Sequence, residues 1–464
     1  MKIDVINPAN PSEIVASYDA TASDQIDQIV DQARVAQKIW AKIPQPERGA
    51  ILTKYCAALA ERKDEIAASM TREMGKILPE SLGEVTKALG EARMTIERAG
   101  APIGEVLPSQ GADVTCFSMR RPRGVVLGIN PWNFPFSTPM RKAIPALLYG
   151  NAIIQKPATL TPGALSIMGE VAEAFFPKHL FQVVIGSGAM GQAFCEHKGV
   201  DAVSFTGSVG VGRRVAQAAV SHFAEVSLEL GGKNPAIVND STDIEKALDQ
   251  ITAAAFAVCG QRCTAISRVI VQDALYSQVV EGLAKRADAI RPEQGFAASA
   301  KMGPLASAQQ LADVHGFVER AKAEGATVAA GGQAIESENG GYFYPATIVS
   351  DVTADMEIAR EEVFGPVISV IKYSTIADAI AIANDVAYGL SSSLYSENLA
   401  VVEKFISESE SGMLHVNAGT FPQNHVPFVG VKDSALGVGG SNGASTIQFY
   451  TTEHAVYRGS LTPL

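Results

Sequence analysis

The sequence is poor in cysteine, in long apolar runs and in positive charge, and each shortage excludes a class of protein. Its 464 residues hold five cysteines, an odd number without a pair of C-x-x-C spacings, which disfavours a disulfide framework and a zinc site. The longest nearly uncharged stretch, 143–155, is shorter than the about 20 apolar residues that a membrane-spanning helix needs. Lys and Arg number 38 against 49 Asp and Glu, and the net charge of −11 repels nucleic acid and anionic membranes.

The composition is that of a folded globular protein. Apolar residues make up 47% of the chain and charged residues 19%, far from the polar composition of disordered chains. Residues 1–20 lack a basic segment followed by an apolar one, so we expect a cytoplasmic protein with reduced thiols and no bound metal. At about 150 residues per domain, the length predicts about three folded units.

The order of the apolar segments predicts helices first and then two α/β units. Residues 24–40 place their apolar side chains on one helical face, and a second helix is expected after Pro46, a favoured first-turn residue. From Gly124 onward, short apolar runs alternate with helix-length segments, which is typical of a parallel α/β sheet. The alternation resumes at Arg268, so two units are predicted, with a junction near 231–232 and a site in the cleft between them.

Two glycine-rich loops follow predicted strands. The segment Gly186–Gly191 fits G-x-G-x-x-G, but the acidic residue expected about 20 positions later is missing. A tight turn after a strand explains this segment equally well. The second loop, 205–208, has the sequence FTGS and opens a predicted helix, whose backbone N–H groups are suited to bind a phosphate. One of the two loops is expected to contact a pyrophosphate, and the sequence does not decide which.

Three residues have catalytic potential. Cys263 follows Arg262, whose charge favours a thiolate if the side chain turns toward the sulfur, although most free cysteines are inert core residues. Glu229 ends an apolar strand before a Gly-Gly break, where a carboxylate needs a function, a partner or exposure to solvent. Asn133 lies between two prolines after another apolar run, either as a donor at a strand end or as a cap of the next helix.

Six motifs together relate the chain to a known family. They are PWNFP at 131–135, KPA at 156–158, FTGS at 205–208, LELGGK at 228–233, GQRC at 260–263 and EEVFGP at 361–366. In this order, and with Glu229 and Cys263 34 residues apart, the sequence resembles the aldehyde dehydrogenase superfamily over essentially its whole length. The segments GQRCTA, FTGSVG and FYTT are most similar to succinate-semialdehyde and α-ketoglutarate-semialdehyde dehydrogenases.

The resemblance implies a mechanism. Cys263 would attack an aldehyde carbon, while the Asn133 amide and the Cys263 backbone N–H stabilise the oxyanion. Hydride transfer to a nicotinamide then leaves a thioester, and Glu229 activates the water that hydrolyses it to a carboxylic acid. A coenzyme A-acylating enzyme would need no such base, so Glu229 favours hydrolysis. The sequence is also compatible with an aromatic or aliphatic aldehyde dehydrogenase, and with a catalytically retired binding protein on the same scaffold.

The resemblance also implies NAD or NADP as the cofactor. Lys156 is expected at the adenosine ribose, and Ser208, with the helix that follows it, at the pyrophosphate. Glu362 and Phe364 are expected at the nicotinamide ribose and ring. The other expected cofactor contacts are Trp132, Thr159, Gly188, Gly207 and Leu230. Because Thr159 stands where NAD-preferring relatives often carry Glu, whose charge repels a 2′-phosphate, we predict dual or NADP-leaning use.

Arg141 and Phe428 are the substrate-binding candidates. Arg141 follows PWNFP where succinate-semialdehyde enzymes carry an arginine facing the substrate tunnel, and a guanidinium there binds a distal carboxylate. The second arginine of those enzymes is Ala257 here, so Arg141 is either a substrate ligand or a solvated or structurally paired side chain. The motif at 427–439 lacks the Arg-Glu pair with which it usually ends in relatives. Glu229 would therefore act without that pair. Phe428 is retained and is expected to form a wall of the tunnel.

The implied fold is α/β and aldehyde dehydrogenase-like, with two Rossmann-like domains and a small β oligomerisation element. The predicted ranges are 1–111 and 123–231 for the cofactor domain, 232–433 for the catalytic domain, and 112–122 with 434–464 for the oligomerisation element. That element would pair the run near 113–122 with a tail strand IQFYTTEHAVY, each too short to form a sheet alone. A small-molecule aldehyde is the expected partner of a homodimer or homotetramer.

Overall fold

The computed structural model describes residues 2–239, 243–438, 441–443 and 445–459. Its α-helices are α1 Ile26–Trp40, α2 Gln45–Glu61, α3 Lys63–Met74, α4 Leu78–Ile96, α5 Ser137–Leu148, α6 Gly163–Ala172, α7 Gly188–Glu196, α8 Val209–Val220, α9 Ile244–Phe256, α10 Tyr276–Asp288, α11 Ala308–Ala323, α12 Glu357–Arg360, α13 Ile376–Asn384, α14 Leu399–Glu408 and α15 Thr446–Tyr450. Its strands are β1 Lys2–Asn7, β2 Asn10–Asp19, β3 Val106–Leu107, β4 Val114–Pro122, β5 Val125–Ile129, β6 Ala152–Lys156, β7 Phe181–Val183, β8 Ala202–Thr206, β9 Glu225–Glu229, β10 Asn234–Val238, β11 Ile266–Gln272, β12 Thr327–Ala330, β13 Thr347–Ser350, β14 Val367–Tyr373, β15 Tyr388–Gly389, β16 Ser391–Tyr395, β17 Met413–Val416, β18 Val431–Lys432, β19 Ala435–Gly437 and β20 Thr451–Gly459.

The N-terminal helices form as predicted. The buried residues of α1 repeat at helical spacing from Ile26 to Trp40, and the Trp40 indole donates to the Leu147 carbonyl at 2.7 Å inside the core. The helix expected after Pro46 begins at Gln45, with the proline in its first turn. No helix in the described residues is both long enough and apolar enough to cross a membrane.

The first sheet has six strands in the order β19-β9-β8-β5-β6-β7. The strands from β9 to β7 are parallel, as the alternation of apolar runs predicted, and β19 joins β9 antiparallel. Ile129, Thr206 and Glu229 end β5, β8 and β9, which are adjacent in this sheet. The motif loops that follow these strands therefore meet at one edge of the sheet.

The second sheet has seven strands in the order β12-β13-β14-β11-β10-β16-β17, parallel except for the pair of β12 and β13. The chain crosses from the first sheet to the second between Glu229, the end of β9, and Asn234, the start of β10. Each sheet has apolar cores of its own. The fold class, two α/β units of Rossmann type, is confirmed.

A third, antiparallel sheet joins the two segments that were predicted to pair. Strand β4 runs along β20, from Val114 opposite Gly459 to Pro122 opposite Thr451, and β3 pairs with the other edge of β4. The small β element is thereby confirmed as part of the fold.

The predicted tail strand is wrong over its first residues. IQFYTTEHAVY was predicted to be extended from Ile447, but α15 occupies Thr446–Tyr450 and the strand begins at Thr451. Consecutive residues of a strand point to opposite faces, whereas Phe449 and Tyr450 are both buried in the core of the first sheet. A helical turn places both rings in that core, edge to face with centroids 4.8 Å apart.

The domain boundaries stay a prediction. Two short strands pair in a different sheet from the one that their predicted range implies. Strand β3 falls within the predicted cofactor range 1–111, yet it pairs in the third sheet. Strand β19 falls within the predicted oligomerisation range 434–464, yet it extends the first sheet.

Candidate active site

A cavity of about 790 Å³ is lined by segments of both α/β units. It collects the loops after β5, β8 and β9, the segment that precedes β11, and one face of α4. The sequence-predicted residues that line it are Trp132, Asn133, Arg141, Gly207, Ser208, Glu229, Leu230, Cys263, Glu362, Phe364 and Phe428. The fold thus brings the three predicted catalytic side chains to one cavity from three separate segments.

Asn133 is fixed at both its side chain and its backbone. Its Nδ2 donates to the Gln261 carbonyl at 2.8 Å, which ties the amide to the segment that carries Cys263. Its own carbonyl accepts a hydrogen bond of 2.7 Å from Nζ of Lys76, a buried lysine paired with Glu84. An amide nitrogen has two hydrogens, so one N–H of Asn133 is left for a ligand.

The loop before Cys263 has an uncommon backbone. Val258 and Cys259 adopt the left-handed region, with φ of 57° and 55°, which is unfavourable for a β-branched residue. The Val258 N–H donates to Oε1 of Glu80 at 2.7 Å, and Glu80 reaches this loop from the start of α4. This bond holds the strained turn that positions the nucleophile.

Cys263 is a thiol in this environment. Burial raises the pKa of the Cys263 thiol to about 12, and the Glu362 and Glu229 carboxylates raise it further, while Arg262 and Arg141 oppose the rise. The expected thiolate stabilisation by Arg262 is therefore too weak to decide the charge. A base must accept the thiol proton when sulfur attacks.

The Arg262 guanidinium hydrogen-bonds to the chain segments around the site. It donates to the Ala254 and Thr420 carbonyls at 3.3 and 3.2 Å and to Oγ1 of Thr264 at 3.0 Å. Its guanidinium carbon also lies 4.3 Å from the centroid of the Phe421 ring. Arg262 thus braces the loops around the site.

Glu229 is buried at the end of β9 with one oxygen unused. Ser441 Oγ donates to Glu229 Oε1 at 3.3 Å, whereas Oε2 has no hydrogen-bond partner among the described residues. Burial raises the pKa of Glu229 to about 8, although Arg141 and Lys142 favour the charged form. Such a carboxyl group exchanges protons near neutral pH, as a general base requires.

A second cavity, of about 850 Å³, adjoins the first, since Ile129 and Phe205 line both. It is lined by Lys156 and by Gly188, which opens α7, two residues that were predicted to contact the cofactor. Arg214 on α8 also lines it, a residue that the sequence did not single out. The residues predicted to contact the cofactor thus line two adjoining cavities, one with Cys263 and the other with Lys156.

Glu362 and Phe364 line the first cavity. Oε1 of Glu362 accepts a hydrogen bond of 3.0 Å from the Gly232 N–H, and burial raises the pKa of Glu362 to about 7. A Cβ on Gly231 would lie 2.1 Å from the Glu362 carboxylate, so this approach requires glycine. Phe364 packs edge to face against Trp132, with ring centroids 5.4 Å apart.

The chain matches the model of the aldehyde dehydrogenase family over residues 1–456. It belongs to the aldehyde dehydrogenase family. It is 40% identical over 439 residues to an alpha-ketoglutaric semialdehyde dehydrogenase of Bacillus subtilis, a match that covers 93% of this chain and 90% of that one. It is also similar to a solved structure of betaine aldehyde dehydrogenase from Staphylococcus aureus in complex with NAD+, with a TM-score of 0.96, 29% identity and coverage of 100% and 93%. A structure of 3,6-anhydro-L-galactose dehydrogenase in complex with NAP (NADP) has a TM-score of 0.95 and 32% identity, with coverage of 98% and 96%.

The cofactor of this aldehyde dehydrogenase is NAD or NADP, and residues predicted to bind it line both adjoining cavities. Helix α8 begins at Val209, so its first N–H groups follow Gly207 and Ser208, and the Ser208 side chain makes no capping bond with them. Anions bind at such helix ends. Burial lowers the pKa of Lys156, whose Nζ donates to the Pro157 carbonyl at 3.3 Å. The described residues contain no cluster of His, Cys, Asp or Glu that would hold a metal ion.

Thr159 differs from the other predicted cofactor contacts. It is exposed in a turn and lines neither cavity. Its contact with the cofactor stays a prediction.

Arg141 lines the cavity of this aldehyde dehydrogenase, but Glu91 engages its guanidinium. Nε and one terminal nitrogen each donate to a Glu91 carboxylate oxygen at 2.7 Å, and the Phe428 ring centroid lies 5.4 Å from the guanidinium carbon. This geometry is that of a structurally paired arginine, the second of the two roles that the sequence allows. Glu91 thus uses two of the five N–H donors of Arg141 and balances its charge before any substrate binds.

A charged stripe on α4, missed from the sequence, contacts the loops of the site. Its members are Glu80, Glu84, Lys87 and Glu91. Glu80 accepts a hydrogen bond from the loop before Cys263, and Glu84 accepts two from the first turn of α5. Lys87 donates to the Pro422 carbonyl, and Glu91 accepts from Arg141. The spacing of four, three and four residues places them on one helical face. The helical spacing of these four residues is visible in the sequence. The loops that their side chains contact cannot be read from it.

Proposed function

We propose that the protein oxidises a carboxylate-bearing semialdehyde to the corresponding dicarboxylate, with NAD or NADP as the hydride acceptor. The observation that carries this proposal is the common cavity of Cys263, Glu229 and Asn133. These residues supply a nucleophile, a base with a pKa of about 8 and an amide donor. Each of the three fills a different role in acyl chemistry.

In the first step, the Cys263 sulfur bonds to the aldehyde carbon. Because Cys263 starts as a thiol, its proton passes to the unpaired Oε2 of Glu229, directly or through a water. The aldehyde oxygen becomes an oxyanion, to which Asn133 Nδ2 and the Cys263 backbone N–H donate. Asn133 is held in place by Gln261 beforehand, so this stabilisation costs little reorganisation.

In the second step, the oxyanion re-forms a C=O bond and a hydride leaves the same carbon. A bound nicotinamide would accept this hydride, and Glu362 and Phe364 would orient the nicotinamide. The acyl group remains on Cys263 as a thioester. Glu229 first returns its proton to solvent and then takes a proton from a water molecule. The resulting hydroxide adds to the thioester carbon, and the sulfur leaves as the carboxylic acid forms.

The substrate class is proposed from charge and shape. Lys87, Arg141 and Arg262 line the cavity, and the Phe421 and Phe428 rings form apolar walls. Glu80 and Glu84 also line it, but Glu84 is paired with Lys76. Arg141 is paired with Glu91, whereas Nζ of Lys87 has no carboxylate oxygen nearer than 4.0 Å among the described residues. A short carbon chain with a terminal carboxylate matches such a lining. The name of the Bacillus subtilis relative, an alpha-ketoglutaric semialdehyde dehydrogenase, supports the same class.

The experiment is a cofactor-reduction assay with a panel of aldehydes. Wild type and Cys263→Ala are compared with 4-oxobutanoate, 2,5-dioxopentanoate, butanal and benzaldehyde, each with NAD and NADP. We expect reduced cofactor only from wild type, with the largest kcat/KM for a carboxylated aldehyde. Activity retained in Cys263→Ala, or none with any pair, would overturn the proposal.

The same assay separates this function from its competitors. Turnover that depends on added coenzyme A would favour an acylating enzyme, which the buried Glu229 base disfavours. A higher kcat/KM for butanal or benzaldehyde would favour an aliphatic or aromatic aldehyde dehydrogenase. A homodimer or homotetramer and a cytoplasmic location stay predictions from the sequence-level resemblance.

A further inference from the structure

We propose that Lys87 binds the distal carboxylate of the substrate and is the main determinant of preference for charged semialdehydes. This inference rests on the proposed function, because it concerns the far end of the same cavity. It differs from the sequence prediction, which gave this role to Arg141.

The position of Lys87 suits a ligand carboxylate. It projects from α4 into the lining of the cavity, near Phe421 and Pro422, and its side chain is 36% exposed. Its Nζ donates to the Pro422 carbonyl at 2.9 Å, and the nearest carboxylate oxygen, of Glu91, is 4.0 Å away. An ammonium group has three donors, so Lys87 has hydrogen-bonding capacity left for a ligand.

Arg141 is less available than Lys87. Glu91 binds its guanidinium with both carboxylate oxygens, which uses two of its five N–H donors and balances its charge. A substrate carboxylate that used the remaining N–H donors would meet a guanidinium whose charge Glu91 already balances. Lys87 competes with no carboxylate at hydrogen-bonding distance, since its only bond in the described residues is to a backbone carbonyl.

The surroundings of Lys87 also predict that its binding of a carboxylate depends on pH. Burial lowers the pKa of Lys87 to about 8, and Arg141 and Arg262 lower it further, while Glu91 and Cys263 favour the charged form. A bound carboxylate stabilises the ammonium. Preference for a charged substrate should therefore decline as pH rises above about 8, where free Lys87 loses its proton.

The test compares 4-oxobutanoate with butanal, which have the same carbon chain and differ at the distal group. The measured quantity is the ratio of kcat/KM for the two substrates, determined for wild type, Lys87→Met and Lys87→Arg. We expect Lys87→Met to reduce the ratio roughly tenfold, the loss of one charge-assisted contact, and Lys87→Arg to restore most of it. The matched control is Lys404→Met, since Lys404 also forms an i,i+4 pair, with Glu408, and is 37% exposed, but lies outside the cavity.

Repeating the measurement from pH 6 to pH 10 gives a second readout. The wild-type ratio should decline above about pH 8, and the Lys87→Met ratio should be flat, because titrations that affect both substrates cancel. A Lys87→Met enzyme that keeps the wild-type ratio would overturn the role of Lys87 and leave the substrate class intact. A wild-type enzyme without preference for 4-oxobutanoate or 2,5-dioxopentanoate over uncharged aldehydes would overturn the substrate class itself and the role of Lys87 with it.

Discussion

Glu91 accepts two hydrogen bonds from Arg141, each 2.7 Å long, so that the planar carboxylate and guanidinium groups face each other as a fork. The Glu91 side chain is 4% exposed and the Arg141 side chain 15%, so little water reaches the pair. The two residues lie on α4 and α5 and join the charged stripe to the helix that follows Asn133. Arg141 therefore has a structural function whatever it contributes to substrate binding.

Replacing Arg141 with Met is expected to lower the free energy of unfolding by about 3 kcal/mol, because Glu91 would stay buried without its partner. Urea unfolding at one fixed protein concentration measures the change. The double replacement Arg141→Met and Glu91→Met should be more stable than Arg141→Met alone, since no unpaired charge remains. A loss below about 1 kcal/mol would instead indicate that water compensates the pair, as at a surface.

Replacing Glu229 with Gln should lower kcat/KM by roughly 10²- to 10⁴-fold at neutral pH, because the thiol and the attacking water both lose their base. With butanal, whose binding does not involve Lys87, wild-type kcat/KM should rise through about pH 8, the pKa of Glu229, and level off above it. In Glu229→Gln kcat/KM should keep rising up to pH 10 without levelling off, since the Cys263 thiolate then forms only by ionisation to solvent. Steady-state kinetics from pH 6 to pH 10 measure both, and an unchanged profile would assign the base to another group.

The same carboxyl group makes stability depend on pH in a defined direction. Its folded-state pKa of about 8 exceeds the ordinary value of 4.5, so the folded protein binds this proton more tightly than the unfolded chain. The contribution of Glu229 to stability should thus fall as pH rises from about 4.5 to about 8. Relative to wild type, Glu229→Gln should be more stable at pH 9 than at pH 5, by about 1 kcal/mol or more in paired urea unfolding curves. An equal difference at both pH values would contradict the raised pKa.

The parallel strands and the motif residues were predictable from the sequence because each depends on local pattern. Short apolar runs fix β5, β8 and β9, and the motifs end or follow these strands, so the common edge was implied before any coordinates. The helix α15 was not predictable, because its aromatic side chains turn inward to fill a core built by distant residues.

The surroundings of the catalytic residues were not predictable for a similar reason. The bond of Arg262 to the Thr420 carbonyl, the pairing of Arg141 with Glu91 and the contact of Glu80 with the Val258 N–H all join segments far apart in the chain. A sequence reveals charge and helical spacing but not which loop a helix face meets. The shift in the Cys263 pKa is likewise a property of burial, which adjacency to an arginine does not report.

Lys76 is expected to act on catalysis through Asn133. Its Nζ donates to the Asn133 carbonyl, and its partner Glu84 accepts the N–H groups of Phe136 and Ser137 at the start of α5. Replacing Lys76 with Met should lower kcat roughly tenfold, because the amide donor loses its position. In an Asn133→Ala background the same replacement should have little further effect on kcat, as a double-mutant cycle would measure. Additive losses would mean that Lys76 acts on folding alone.

The choice between NAD and NADP depends on the side chains that line the second cavity. Arg214 and Lys156 line the second cavity together with one acidic residue, Glu196, so a 2′-phosphate there would meet two cationic side chains against one carboxylate. We expect kcat/KM for NADP to lie within about a hundredfold of that for NAD, a difference below about 2.7 kcal/mol. Arg214→Ala should lower kcat/KM for NADP several-fold more than for NAD, since only NADP carries the phosphate. The neighbouring Arg213, which is 67% exposed and pairs with Asp433 outside both cavities, provides the matched control Arg213→Ala. Equal losses with the two cofactors in Arg214→Ala would show that this arginine does not contact the 2′ position.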